Sequence, residues 1–257
     1  MRNEVLAACL MVGVIGVCSC GPQSDVELDQ TVAGATVAGP FSFGEAVVDH
    51  NWRRVSFDRK FDDPVVIVSP LSSNGADPAV IRIRNVDSSG FEIRIQEWSY
   101  LDGWHKAERV SFVAAERGRH HIAKGAAGST AGWMEAGYFD TAQTPLTRVD
   151  FAEAFSTKPV VFTSVATFSG AEPVVGRLYS VEPSGFHYRL MEEEAKPQDH
   201  VEERVHYMAW HPSKGPLSSA SEVTYVADFF IPIDHNAVRL PFRAFTEPPV
   251  FCLLYTS

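Results

Sequence analysis

Residues 64–95 read PVVIVSPLSSNGADPAVIRIRNVDSSGFEIRI, and residues 159–190 read PVVFTSVATFSGAEPVVGRLYSVEPSGFHYRL. Aligned without a gap at a shift of 95, they share 14 of 32 positions, where average residue usage would give about two. The shared set includes Gly75/Gly170, Pro78/Pro173, Arg82/Arg177, Gly90/Gly185 and Phe91/Phe186. Self-similarity at a fixed period means a repeated structural unit. Within each copy the pattern is that of strands. PVVIV is a short, continuously apolar run, as a buried strand is. Ile81 and Ile83 alternate with Arg82 and Arg84. Phe91, Ile93 and Ile95 alternate with Glu92, Arg94 and Gln96, and Val110 and Phe112 alternate with Ser111 and Val113. Alternation predicts one buried face and one wet face. Asp87-Ser88-Ser89-Gly90 and Glu182-Pro183-Ser184-Gly185 carry turn residues between strands. No stretch of the body keeps a helical period. About six short strands in roughly 75 residues are too many for one flat sheet, so each copy is expected to be an antiparallel β-sandwich in an all-β chain.

Outward from that core, Phe57 and Phe61 in the first copy meet Phe151 and Phe155 in the second at a shift of 94. Asp234-His235-Asn236, Arg239 and Phe242 repeat the spacing of Asp49-His50-Asn51, Arg54 and Phe57, and Pro249-Val250-Phe251 repeats Pro159-Val160-Val161. The expected division is a first repeat at 41–116, a linker at 117–133 and a second repeat at 134–211. The start of a third repeat lies at 222–251, and 252–257 (CLLYTS) read as a non-native tail after truncation. Before the body, Arg2 precedes a 13-residue apolar run, Val5–Val17, shorter than the roughly 20 residues a membrane-spanning helix needs. A basic residue followed by a short apolar run reads as a secretory signal over 1–19. Val17-Cys18-Ser19-Cys20-Gly21 is similar to a bacterial lipobox. That resemblance implies lipidation of Cys20, a tether over 20–40, and a secreted protein anchored to a bacterial outer membrane or cell surface.

The formal net charge is -10, with 45% hydrophobic residues. An acidic balance excludes a phosphate-binding surface, so no nucleic-acid partner is expected, and contact with a membrane is expected through the lipid anchor alone. Gly21 to Phe251 contains no cysteine, which leaves the folded body without a disulfide, a thiol nucleophile or a Cys-based metal site.

The order Phe-x3-Phe, Pro-Val-Val, an Arg-bearing strand and Val-x3-Gly-Phe, closest at Arg177–Phe186 (RLYSVEPSGF), resembles the H-type lectin domain of snail agglutinins and the discoidin C-terminal region. The resemblance implies six-stranded sandwiches, usually trimeric, that bind galactose or N-acetylgalactosamine. It places an aromatic residue of the sugar site at Trp98 and a further one at or beside Trp104, such as His105. Asp102, like Glu97, is near enough in sequence to hydrogen-bond sugar hydroxyls. Indole rings pack on the apolar face of a pyranose. The family's Arg position is Pro78 here and Pro173 in the second copy, and Glu193 and Glu194 replace the second copy's aromatic pair. Because the family trimerises from separate chains, the tandem copies are expected to form an intramolecular pseudo-trimer.

No Ser/His/Asp elbow, P-loop, HExxH or dinucleotide fingerprint occurs, so the chain is read as a binding protein, not an enzyme, with no cofactor and no metal. His200, His206 and His211 are read as solvated, and Glu192-Glu193-Glu194 as a solvated loop. The alternative to a lectin is an adhesive or structural module for a protein partner, or the accessory end of a longer secreted enzyme.

Overall fold

A computed structural model describes the backbone over residues 6–13, 32–33, 40–122, 132–142, 144–193, 200–218, 224–230 and 250–256, with side chains over 40–122, 132–142, 144–193 and 200–212. It is all-β, and the repeat is the organising fact. After β1 (Leu6–Gly13), seven strands form the first module: β2 (Val32–Ala33), β3 (Phe41–Val48), β4 (Arg53–Ser56), β5 (Pro64–Val68), β6 (Ala79–Asp87), β7 (Gly90–Glu97) and β8 (Glu108–Glu116). The second repeats them as β9 (Gly118–Ile122), β10 (Gly132–Thr141), β11 (Thr147–Asp150), β12 (Val160–Val165), β13 (Val174–Glu182), β14 (Gly185–Glu192) and β15 (Glu203–Trp210). β16 (Ser213–Ser218), β17 (Thr224–Phe230) and β18 (Val250–Thr256) follow.

Each module is a sandwich. A four-stranded sheet, β2-β3-β8-β5 in the first and β9-β10-β15-β12 in the second, covers another sheet: the three-stranded β4-β7-β6 in the first, and in the second β11-β14-β13, three strands of a seven-stranded sheet that continues through β18, β1, β17 and β16. All of these pairings are antiparallel. Six strands are those expected; the seventh is an edge strand. In the second module that strand is β9, inside the segment read as linker, with Ile122 buried.

The two hairpins match even in their irregularities. Register shifts between Arg84 and Asp87 in β6 and between Tyr179 and Glu182 in β13, and Asn85 and Ser180 both take positive φ. Gly90 and Gly185 lie so close to the Val55 and Val149 carbonyls that an added Cβ would collide with them. The Phe-x3-Phe motif locks the same turn: the Phe57 and Phe61 amides donate to the Ser89 and Ser88 carbonyls, and Phe151 and Phe155 donate to Ser184 and Pro183.

The middle of β8, Val110 to Ala115, is buried on both sides, which corrects the reading of Arg109–Ala114. Phe112, Ala114 and Val66 face the first module's own core. Val113, Ala115, Val65, Ile67, Phe41 and Phe43 join Val160, Phe162, Met208 and Trp210 in a second core between the modules. A strand covered on both faces needs apolar side chains throughout, hence PVVIV. The histidines also differ from expectation. His200 and His206 are 2% and 4% exposed, and the His206 Nδ1 accepts the Val66 N–H across the module seam at 2.9 Å; only His211 is half-exposed.

β18 starts at Val250, where a third copy's β12 counterpart is expected, and continues through residues read as a tail. It pairs with β1 along its length and with β13 at Leu178. Cys20, Glu194 and Asp234–Phe242 lie outside the described residues.

Candidate functional site

The loop that joins β7 to β8 carries most of the expected site. It is held by two carboxylates at its ends. Glu97 closes β7 and Glu108 opens β8; both are buried, with His105 between them. His105 Nδ1 lies 3.0 Å from Glu97 Oε1, and Nε2 lies 3.5 Å from Glu108 Oε1. The second Glu97 oxygen accepts the Gly103 N–H at 3.1 Å. Asp102 accepts the Trp104 N–H at 2.9 Å, an Asx turn that Gly103 completes at φ +76°. Glu108 in turn gathers the preceding loop: it accepts N–H groups from Asn74 and Gly75 and the Ser72 hydroxyl. Burial works to raise the Glu108 pKa, but those bonds and His105 together hold it below the ordinary glutamate value. Gly75 is glycine because a Cβ there would stand 2.6 Å from the His105 ring.

The expected site residues therefore part company. His105 and Glu97 are scaffold, turned away from solvent. Trp98 is half-buried, and Asp102 is exposed with one oxygen held in the turn. Trp104 is 57% exposed and Tyr100 63%, while His50 from the β3–β4 connection sits 6.0 Å from the Trp104 ring and contacts the His105 carbonyl. The result is a rigid loop presenting two large aromatic rings to solvent beside imidazole and carboxylate groups.

The second module repeats the clasp. His200 Nδ1 lies 2.8 Å from Glu192 and its Nε2 3.0 Å from Glu203; Glu203 accepts N–H groups from Ser169 and Gly170 and the Thr167 hydroxyl. Burial opposes charging of both groups. The two carboxylates nonetheless raise the His200 pKa, and its hydrogen bonds hold Glu203 at about 2. The pairs Glu97/Glu192, His105/His200 and Glu108/Glu203 all fall on the shift of 95, so the clasp was discoverable in the sequence from that register.

Glu203 has one partner that Glu108 lacks. Arg82 of the first module, wholly buried, donates to Glu203 at 2.8 Å and to the Glu172 carbonyl at 2.7 Å. Its guanidinium lies 4.6 Å from the Phe168 ring. Burial pulls its pKa down to about 10, which leaves it charged at neutral pH. Gln96 donates to the Ala171 carbonyl, and Glu193 reaches back to accept the Ser99 N–H and hydroxyl. Glu193, expected to mark the loss of a sugar site in the second module, is a brace on the first module's aromatic loop.

A stretch of 196 residues is 30% identical to Halomucin from Haloquadratum walsbyi. It covers 70% of this chain and 2% of that protein. No family model and no solved structure matches the chain.

Proposed function

We propose that this chain is a secreted, glycan-binding surface protein whose first module engages sugar through the β7–β8 loop. The supporting observation is Trp104, largely exposed on a loop too well pinned to fold it inward. Exposed indole on a preorganised backbone stacks on a pyranose face with little backbone ordering cost, and Tyr100, His50 and Asp102 supply further stacking and hydrogen-bonding groups. Galactose-type glycans are the first to try, on the H-type lectin resemblance. Titration of the intact protein against a galactose and N-acetylgalactosamine glycan panel should give saturable binding, and Trp104→Ala should weaken it about tenfold or more with the melting temperature unchanged. Absence of binding by the folded wild type sinks the reading.

Anchoring is proposed through Cys20, with metabolic incorporation of a palmitate analogue as the check: Cys20→Ala abolishes the label. The pseudo-trimer is proposed as well. The Arg82–Glu203 joint runs one way only, from the first module's arginine to the second module's clasp. Such a heterologous interface closes into a ring or propagates. With the start of a third copy at 222–251, the closed form, three modules in a ring, is the one proposed. An adhesive role without sugar is the second reading, favoured by Glu193 standing where the first module has Trp98. Retention of a protein partner that free sugars do not displace would support it.

A further inference from the structure

The two clasps differ at one carboxylate, and the difference makes a ligand set. In the first module both Glu97 oxygens are satisfied, by His105 and by the Gly103 N–H, and the neighbouring Asp77 is exposed. In the second module Glu192 keeps its bond to His200, but its other oxygen, Oε2, is buried without a hydrogen-bond partner, in a side chain only 3% exposed. Asp77 is replaced by the longer Glu172. Ligand atoms of Glu172, Glu192 and His200 all fall within 4.8 Å of one another.

We propose that Glu172, Glu192 and His200 bind one divalent transition cation of the zinc class. The donor set, one imidazole nitrogen and two carboxylates, suits that class rather than the all-oxygen sites of calcium or magnesium. The atoms are already gathered: around a tetrahedral cation, ligand atoms about 2.1 Å from the metal stand roughly 3.4 Å apart, so His200 Nδ1 and Glu192 Oε1, 2.8 Å apart in their hydrogen bond, need to part by only about 0.6 Å. The cation replaces the proton between those atoms, and His200 keeps its Nε2 proton for Glu203. A histidine that binds metal through one nitrogen and donates the other N–H to a carboxylate is the usual outer-shell support of such sites. Here that carboxylate is itself fixed by Arg82, so the site sits on the module seam and braces it. The proposal does not depend on sugar binding.

The test uses the untagged, full chain stripped of metal by a chelating resin. Equilibrium dialysis against zinc chloride, with metal measured by atomic emission, should show one zinc bound per chain at micromolar concentration. Glu172→Gln should weaken it about tenfold or more. Arg82 bonds the Glu172 backbone carbonyl, which this variant keeps, but the Glu172 charge also supports Arg82, so each protein is compared with its own metal-free melting temperature, which zinc should raise in the wild type alone. Wild type that binds no zinc at micromolar concentration, or Glu172→Gln that binds as the wild type does, overturns the proposal.

Discussion

At the scale of single residues, buried ionisable groups divide by whether an opposite charge reaches them. His206 is buried between modules beside Arg204. Burial first, then that guanidinium, pushes its pKa down to about 4, with Asp63 opposing. Its neutral ring is the form that accepts the Val66 N–H. An unfolded histidine titrates near 6.5, so between about pH 6.5 and 4 the unfolded chain binds the extra proton. The His206 contribution is thus present above pH 6.5 and lost as the pH falls towards 4. Urea unfolding at pH 7 and pH 4.5 should show the wild type losing about 2–3 kcal/mol more than His206→Gln does. Arg82 is the opposite case, a buried charge with its partner in place. Arg82→Met leaves Glu203 buried with one cation fewer, and chemical denaturation should register a loss of about 3–5 kcal/mol, as for other broken buried pairs.

At the scale of elements, the Phe-x3-Phe motif and the Gly90 turn are one device. Two amides from the loop after β4 bind the carbonyls of the β6–β7 turn, and the close approach leaves no room for a side chain at Gly90. Gly90→Ala should therefore lower stability by about 2 kcal/mol or more, because backbone rather than a flexible side chain must move. The same substitution at Gly103, where a Cβ meets nothing within 4 Å but φ is +76°, carries only the backbone strain and should cost about 1 kcal/mol. Comparing the two melting curves separates collision from conformational preference. The β7–β8 loop follows the same logic: Glu97, His105 and Glu108 spend their polarity on fixing its path, and the aromatic rings are what remains for solvent.

At the scale of the whole molecule, two sandwiches share a third core made from the outer faces of their four-stranded sheets, and Arg82 crosses the seam beside it. Modules joined this way should unfold together. Calorimetry should show one transition for the wild type, and Arg82→Met should broaden or split it as the seam weakens. Two separate wild-type transitions would mean that the modules are independent beads. Small-angle scattering of the unlipidated protein addresses the proposed ring, for which a compact single-chain particle is expected.

By itself the sequence determined the all-β class, the duplication, the hairpin turns and the buried strands, because each is written in local period or in identity between copies. It also placed the aromatic loop. What it did not show is which polar residues turn inward. His105, Glu97, His200, Arg82 and Glu193 read as surface groups because charge is normally solvated. Only the tertiary structure decided otherwise, by supplying each with a partner 8 to 121 residues away. The second face of β8 is the same case: Ser111 and Val113 alternate as in a strand with one wet side, and what covers them is another module, which no local pattern encodes.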